Sequence, residues 1–278
     1  MSQVHVILDS TANVPPQLLE KWCNLHVVPL TVLLNNRQIN ESELSAADLF
    51  TLIKETGDHP KTSQPAPGDF AALFSTIHNS GDSAVVITLA GSLSGTVQSA
   101  KIAAQMAGSK NIFVVDSGTT AIGMVQMAEQ ALAMAAAGAE AGCIAAEIEK
   151  MAGATHTMFV PATLEYLHKG GRIGGAAAVF GAILQIRPIL YLREGKVAVL
   201  DKVRTRTRAI ARMTEELKNY PDFAYISVVA IEAKEEALIL QQQIQQLYPQ
   251  IPVLFGEGGP VLASHLGPGL VGLIFQEK

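Results

Sequence analysis

Short β-branched apolar runs alternate along this chain with stretches in which apolar residues recur every three or four positions. The runs at 4–8, 27–34, 84–89 and 112–115 have the length and branching of buried strands. Between and after them, segments 16–22, 46–54, 69–78, 97–107, 121–137 and 139–151 carry helical spacing. Strands alternating with helices predict parallel βαβ units, whose ligands collect beyond the carboxyl ends of the strands.

Near Gly153 the grammar changes. A short strand at 157–160 is followed by a glycine-rich stretch and a small-residue helix at 176–185, then by strand signals at 188–192 and 196–199 around the turn Glu194-Gly195. A helix at 235–248 separates strands at 225–231 and 253–255, and a strand at 270–275 closes the chain. These patterns place a boundary between Lys150 and His156. The expected units are residues 1–153 and 154–278.

The stretch 88–100, TLAGSLSGTVQSA, changes from strand to loop to helix within thirteen residues. It therefore joins a strand's carboxyl end to a helix's amino end, where unpaired N–H groups and the helix dipole stabilise an anion without a cationic side chain. Ser92, Ser94 and Thr96 add hydroxyls, and Gly91 and Gly95 allow close approach to the main chain. A plain serine cap explains Ser94 but not the whole set. The order Gly91-Ser92-Leu93-Ser94-Gly95 puts leucine where a nucleophile elbow needs serine, and neither phosphate-loop glycine pattern is present. The loop offers donors and no general base.

Composition narrows the classes. With 49% apolar residues in 278, the core is ample, and aromatics at 5% leave aliphatic and small side chains to build it. A net charge of −5 argues against a nucleic-acid binder. Cys23 and Cys143 give neither a disulfide framework nor metal spacing, which fits a reducing cytoplasm. The opening MSQVHVILDS has no basic, long-apolar leader pattern, and no apolar span reaches the ~18 residues of a membrane helix. The expectation is a cytoplasmic protein without an integral membrane segment.

Other features admit two readings each. Asp9 and Asp116 end strands and are candidate caps for the helices that follow. Segment 58–68 holds three prolines around Lys61-Thr62-Ser63-Gln64, a stiff extended loop that is either a second ligand wall or a solvated connector. Arg204, Arg208 and Arg212 share a face if their segment is helical, with Glu215 and Glu216 as compensating charges. That face is either simply solvated or a docking surface for an acidic partner.

Nine motifs in order resemble the DegV family of bacterial fatty-acid-binding proteins: ILDSTANVP (7–15), VVPLTV (27–32), KTSQPAPGDF (61–70), LSGTVQSA (93–100), VVDS (114–117), TLEYLHKGGRI (163–173), ILQIRPIL (183–190), KVRTRTRA (202–209) and HLGPG (265–269). The resemblance implies two α/β domains, a parallel-sheet α/β/α unit followed by a mixed-sheet α/β unit, with a fatty acid in a tunnel between them. It also implies a partner, an ATP-dependent fatty acid kinase that converts the presented carboxylate to an acyl phosphate for phospholipid synthesis. Leu89-Ala90-Gly91-Ser92 and Asn35-Asn36-Arg37-Gln38 depart from the family's usual pattern.

Carried over by position, the resemblance assigns the carboxylate to Thr62, Ser94, Gly95 and His265. Ser63, Ser92 and Arg172 become secondary contacts to the head group or a transferred phosphate. Glycines and alanines from Gly174 to Gly181 would leave room for the chain, with Val179, Phe180, Ile183 and Leu184 lining it; close helix packing is the other reading of the same small residues. No catalytic residue, metal or cofactor beyond the bound fatty acid is implied. The alternatives are a serine hydrolase of lipid esters built on Ser94 and His265, which lacks an identifiable orienting carboxylate, and a lipid-responsive interaction protein using the arginines.

Overall fold

The computed structural model describes residues 2–182 and 186–278. The first part of the chain forms β1 (Val4–Asp9), α1 (Pro16–Lys21), β2 (Leu25–Val28), β3 (Thr31–Leu34), β4 (Arg37–Asn40), α2 (Ala46–Thr56) and β5 (Lys61–Ser63). It continues through α3 (Pro67–Asn79), β6 (Ser83–Thr88), α4 (Thr96–Met106), β7 (Ile112–Asp116), α5 (Ile122–Ala136) and α6 (Ala141–Gly153). Strands β2-β1-β6-β7 make an all-parallel sheet, and β4-β3-β5 make a separate antiparallel one.

Each strand of the parallel sheet is divided between two cores. Along β1, Val6 and Leu8 pack with Met127, Leu132 and Ile148 of α5 and α6, while Ile7 packs with Phe70, Phe74 and Ala103 of α3 and α4. Period-two alternation with apolar cover on both faces is why these strands read as unbroken hydrophobic runs.

The 27–34 run, expected as one strand, is two. Pro29 has no N–H to give a ladder, and there the chain leaves the parallel sheet and starts β3. Asn35 and Asn36 then adopt φ of 49° and 57°, the left-handed pair that a two-residue hairpin turn requires. The proline-rich stretch contains β5, which pairs antiparallel with β3, Thr62 opposite Val32.

The remainder forms β8 (Thr155–Val160), α7 (Glu165–Lys169), β9 (Arg187–Arg193), β10 (Lys196–Val203), α8 (Arg206–Glu216), β11 (Phe223–Ile231), α9 (Lys234–Leu247), β12 (Val253–Glu257), α10 (Pro260–Leu266) and β13 (Leu270–Glu277). These strands form one mixed sheet ordered β10-β9-β8-β13-β11-β12, so the chain is an α/β protein with two main sheets. One face of the mixed sheet is covered by α8 and α9 through Met213, Leu217, Leu240 and Ile244. Its other face meets β3, α10 and the start of α5 through Val32, Val261 and Ala121.

Three expectations are corrected. Where a helix was expected over 176–185, Gly174–Ala182 forms a 3₁₀ segment, and residues 183–185 lie outside the described residues. Gly174 has φ of +50° and lies so close to β10 that a Cβ would come within 2.6 Å of the Val197 carbonyl, which forbids a regular α-helical start. Arg204 precedes α8 rather than sharing its face, and the arginines that follow are paired: Arg206 with Glu236, Arg208 with Glu215, Arg212 with Asp201 and Glu216. Neither candidate aspartate caps a long helix. Asp9 caps the 3₁₀ turn Ser10–Ala12, and Asp116 accepts from the Gly91 and Gly118 N–H groups while α5 has no side-chain cap.

Two buried carboxyls tie these pieces together. Fully buried Asp9 accepts from the Leu89 N–H at 2.7 Å with one oxygen and from the Thr11 N–H at 3.1 Å with the other. Glu41 accepts from the Ser10 hydroxyl and from the Val261 N–H at 3.0 Å, while Ser10 Oγ accepts from the Leu30 N–H at 2.8 Å. Burial pushes Asp9 up to about 6 and Glu41 up to about 7, the latter helped by the Asp9 charge, against the hydrogen bonds that favour their ionised forms.

A carboxyl whose pKa is raised by folding binds its proton more tightly in the folded state, so its contribution to stability falls as pH rises from the unfolded value of 4.5 to about 7. His26, His59 and His265, whose pKa values are lowered, act in the opposite direction, and a difference measurement cancels them. Glu41→Gln keeps an acceptor for Val261 N–H and removes the titration. Urea unfolding of both proteins at about pH 5 and about pH 8 is expected to show wild type losing ground to the variant at the higher pH; a pH-independent difference contradicts the assignment.

Candidate ligand-binding site

A cavity lies between the inner face of the mixed sheet and the elements covering it. The volume open to the centre of a water-sized sphere is about 90 Å³, against roughly 10–15 Å³ for one water molecule. It is a narrow slot. Phe159, Leu192, Val229, Ile231, Leu262 and Ile274 supply much of its hydrocarbon wall, and Thr62, Ser94, His265 and Arg172 all reach it.

Ser94 is delivered by the β6–α4 loop. Both Asp116 carboxylate oxygens lie 3.0 Å from the Gly91 N–H, and a Cβ on Gly91 would come within 2.5 Å of Asp116 Oδ2. Ser94 Oγ shares a hydrogen bond with Thr96 Oγ1 at 2.9 Å and accepts from the Thr96 N–H at 3.4 Å, which places it at the amino end of α4. Gly95 is small because Gln64 needs the space, its side chain lying within 2.2 Å of where a Cβ would stand.

Thr62 and His265 meet across the cavity wall. Thr62 Oγ1 lies 2.7 Å from His265 Nε2, joining β5 to the last turn of α10. His265 Nδ1 is buried without a partner and packs on Gly170, where a Cβ would approach it to 2.3 Å. Burial, then the Arg172 and His59 charges, lower the imidazole to about 4. The ring is therefore neutral near pH 7 and carries one proton. Orphaned buried N–H groups are rarer than orphaned acceptors, so the proton belongs on Nε2, donated to Thr62 Oγ1. The Thr62 hydroxyl hydrogen is left to point elsewhere.

Arg172 is fixed at the rim: Nε donates to the Leu93 carbonyl at 3.1 Å and Nη1 to the Gly170 carbonyl at 2.7 Å. It lines both the cavity and an open groove outside that also includes Ser92, Ser94, Gly95 and Lys196. Ser92 is exposed and donates to the Gly195 carbonyl in the β9–β10 turn, clasping the two halves of the chain.

The expected residues thus separate. Thr62, Ser94, His265 and Arg172 share one cavity, Gly95 and Ser92 face the groove beside it, and Ser63 lines neither. Ser63 is exposed because side chains alternate along β5. Val179 and Phe180 do not line the slot: Val179 is buried in the core and Phe180 stacks on His168 with ring centroids 4.1 Å apart. Ile183 and Leu184 lie outside the described residues. The wall comes instead from inward positions of β8, β11 and β13, strands so nearly buried on both faces that no alternation in sequence marks which positions face the slot. Among the described residues no group of three or more His, Cys, Asp or Glu side chains is placed to hold a metal ion, and no helix is long and apolar enough to cross a membrane.

A family model described as "Uncharacterised protein, DegV family" matches residues 3–278. A DegV domain-containing protein of Listeria monocytogenes is 32% identical over 283 residues, covering 99% of each chain. A DegV family protein from Thermus thermophilus, described for its fatty acid binding, superposes with a TM-score of 0.89 at 31% identity, covering 99% of this chain and 100% of that one. DegV from Bacillus subtilis, described as a fatty acid binding protein, superposes with a TM-score of 0.88 at 30% identity over all of both chains.

The His265 geometry is testable directly. Imidazole nitrogen shifts followed by NMR are expected to show a neutral, Nε2-protonated ring down to about pH 5, because its pKa is lowered to about 4; a ring that charges near the ordinary value of 6.5 contradicts the arrangement.

Proposed function

The chain belongs to the DegV family, and from that premise we propose that it binds a long-chain fatty acid in the slot and presents the carboxylate at the Thr62–Ser94 corner to an ATP-dependent fatty acid kinase. The observation that carries this reading is the division of one cavity into a mainly hydrocarbon wall and a corner of neutral donors with an arginine at its rim. Each methylene buried is worth ~0.8 kcal/mol, so about a dozen contribute roughly 10 kcal/mol before ordering costs. The chain supplies affinity and the corner fixes direction.

The corner suits presentation. The Thr62 proton released by His265 and the hydroxyl of Ser94 hold a carboxylate without a salt bridge, so one oxygen keeps the electron density needed to attack phosphorus. Arg172, at the boundary between slot and groove, stands where charge on a transferred phosphoryl group would develop. The hydrolase reading is less well supported: His265 Nε2 is bonded to Thr62, Ser94 to Thr96, and no carboxylate orients His265 Nδ1.

Mass spectrometry of lipid extracted from protein purified from its native host is expected to return long-chain fatty acids, and delipidated protein should take them up again; failure of both sinks the proposal. Thr62→Val or Ser94→Ala should each weaken uptake by ~1–3 kcal/mol if the hydroxyls contact an ionised carboxylate. Arg172→Ala is expected to leave uptake largely intact and slow acyl-phosphate formation with a cognate kinase. Equal transfer rates for that variant and wild type would remove Arg172 from the mechanism.

A further inference from the structure

Leu93, Ser94, Arg172 and Val197 each line both the slot and the groove outside it. The partition between the two spaces therefore runs where the tip of the β9–β10 hairpin meets the β6–α4 loop. The hairpin gives Leu192 and Val197 to the slot wall. Its base is well anchored: Ile189 is buried with Ala209 and Met213 of α8, and Asp201 accepts from Arg212 Nε at 2.9 Å. Its tip is held less. Among the described residues β9 pairs with β8 at Leu190–Phe159 and Tyr191–Met158, whereas Thr155, His156 and Thr157, at the start of β8, pair with β13 alone. From Leu192 to Val197 the ribbon runs past that ladder, closed by its own turn, in which Glu194 and Gly195 take φ of 49° and 72°. The register of β10 shifts between Val199 and Asp201, a bulge that bends the ribbon at the level where the anchoring ends.

The polar contact that ties this tip to the loop is the hydrogen bond from Ser92 Oγ to the Gly195 carbonyl. Ser92 is exposed, so water competes for both partners and the net strength of the bond is small. The 3₁₀ segment also meets the tip, at Val197, through Gly174, which has no side chain to grip it. We propose that the hairpin tip is a gate: when Ser92 releases Gly195, residues 192–197 swing away from Leu93 and join the slot to the groove, letting an acyl chain in or out; this rests on the fatty-acid reading above. A slot this narrow does not take up a chain of about a dozen methylenes unless part of its wall moves aside. A swing about the bulge leaves the β8 ladder, the α8 contacts and the Thr62–His265 corner in place. The gate therefore sets how fast the chain enters and leaves, apart from the groups that read the acid.

The experiment follows exchange of bound stearate for deuterated stearate by native mass spectrometry, in a parent protein whose two exposed cysteines, Cys23 and Cys143, are replaced by serine. Ser92→Cys combined with Gly195→Cys places two Cβ atoms 3.4 Å apart, at the short end of the roughly 3.5–4.5 Å of a disulfide. Oxidised, this variant is expected to exchange about tenfold more slowly than when reduced, and dithiothreitol should restore the rate. Ser92→Ala, which needs no new bond to form, should exchange about threefold faster than the parent. An oxidised form that exchanges as fast as the reduced one, or a Ser92→Ala protein that exchanges at the parent's rate, overturns the gate while stearate binding leaves the broader proposal standing. Parent protein that takes up no stearate overturns both.

Discussion

The constraint on which this structure depends is the two-sided apolar character of its mixed sheet. One face is closed by α8 and α9, whose Met213, Leu217, Leu240 and Ile244 fill the space against it. The other face cannot be left to water either, and it is covered by pieces from distant parts of the chain: the β3 hairpin, the turn that starts α5, and α10. A cover assembled from separate pieces fits less completely than two helices do, and the slot is the space that remains. Buried carboxyls stand at the seams, Asp9 joining β1 to the β6–α4 loop and Glu41 joining the first turn of the chain to α10.

Within that slot, recognition is divided by chemistry. Hydrocarbon burial is strong and indifferent to direction, whereas the few hydroxyls are weak and directional. Thr62, Ser94 and His265 come from β5, the β6–α4 loop and α10, so the corner exists only when three separate elements are docked together. Its electrostatics follow from the same docking. His265 is neutral because burial and the neighbouring positive charges oppose a second proton.

Much of this was legible in the sequence, and the failures have physical causes. The parallel sheet was readable because strands buried on both faces must be continuously apolar, and the Gly91–Gly95 loop because its glycines and serines had no simpler use. Helix α10 was not, since Val261, Leu262, Ala263 and Ser264 are all buried and leave no amphipathic period to detect. The stretch from Gly174 onward misled because small residues mean close packing as readily as open space: Gly174 is small to approach β10, not to admit a ligand. Motif order brought Thr62, Ser94, Arg172 and His265 together, but the sheet positions opposite them needed a register that local patterns do not contain.

Gly170 has an ordinary negative φ of −78°, so nothing in its backbone demands glycine; the demand comes from the imidazole that sits where its side chain would project. A single methyl at that position would evict His265 from its seat and, with it, the polarity of the Thr62 hydroxyl. Inheritance therefore acts on this site through a residue that meets no ligand at all, and the set of codons on which acid recognition depends is larger than the set of atoms that perform it.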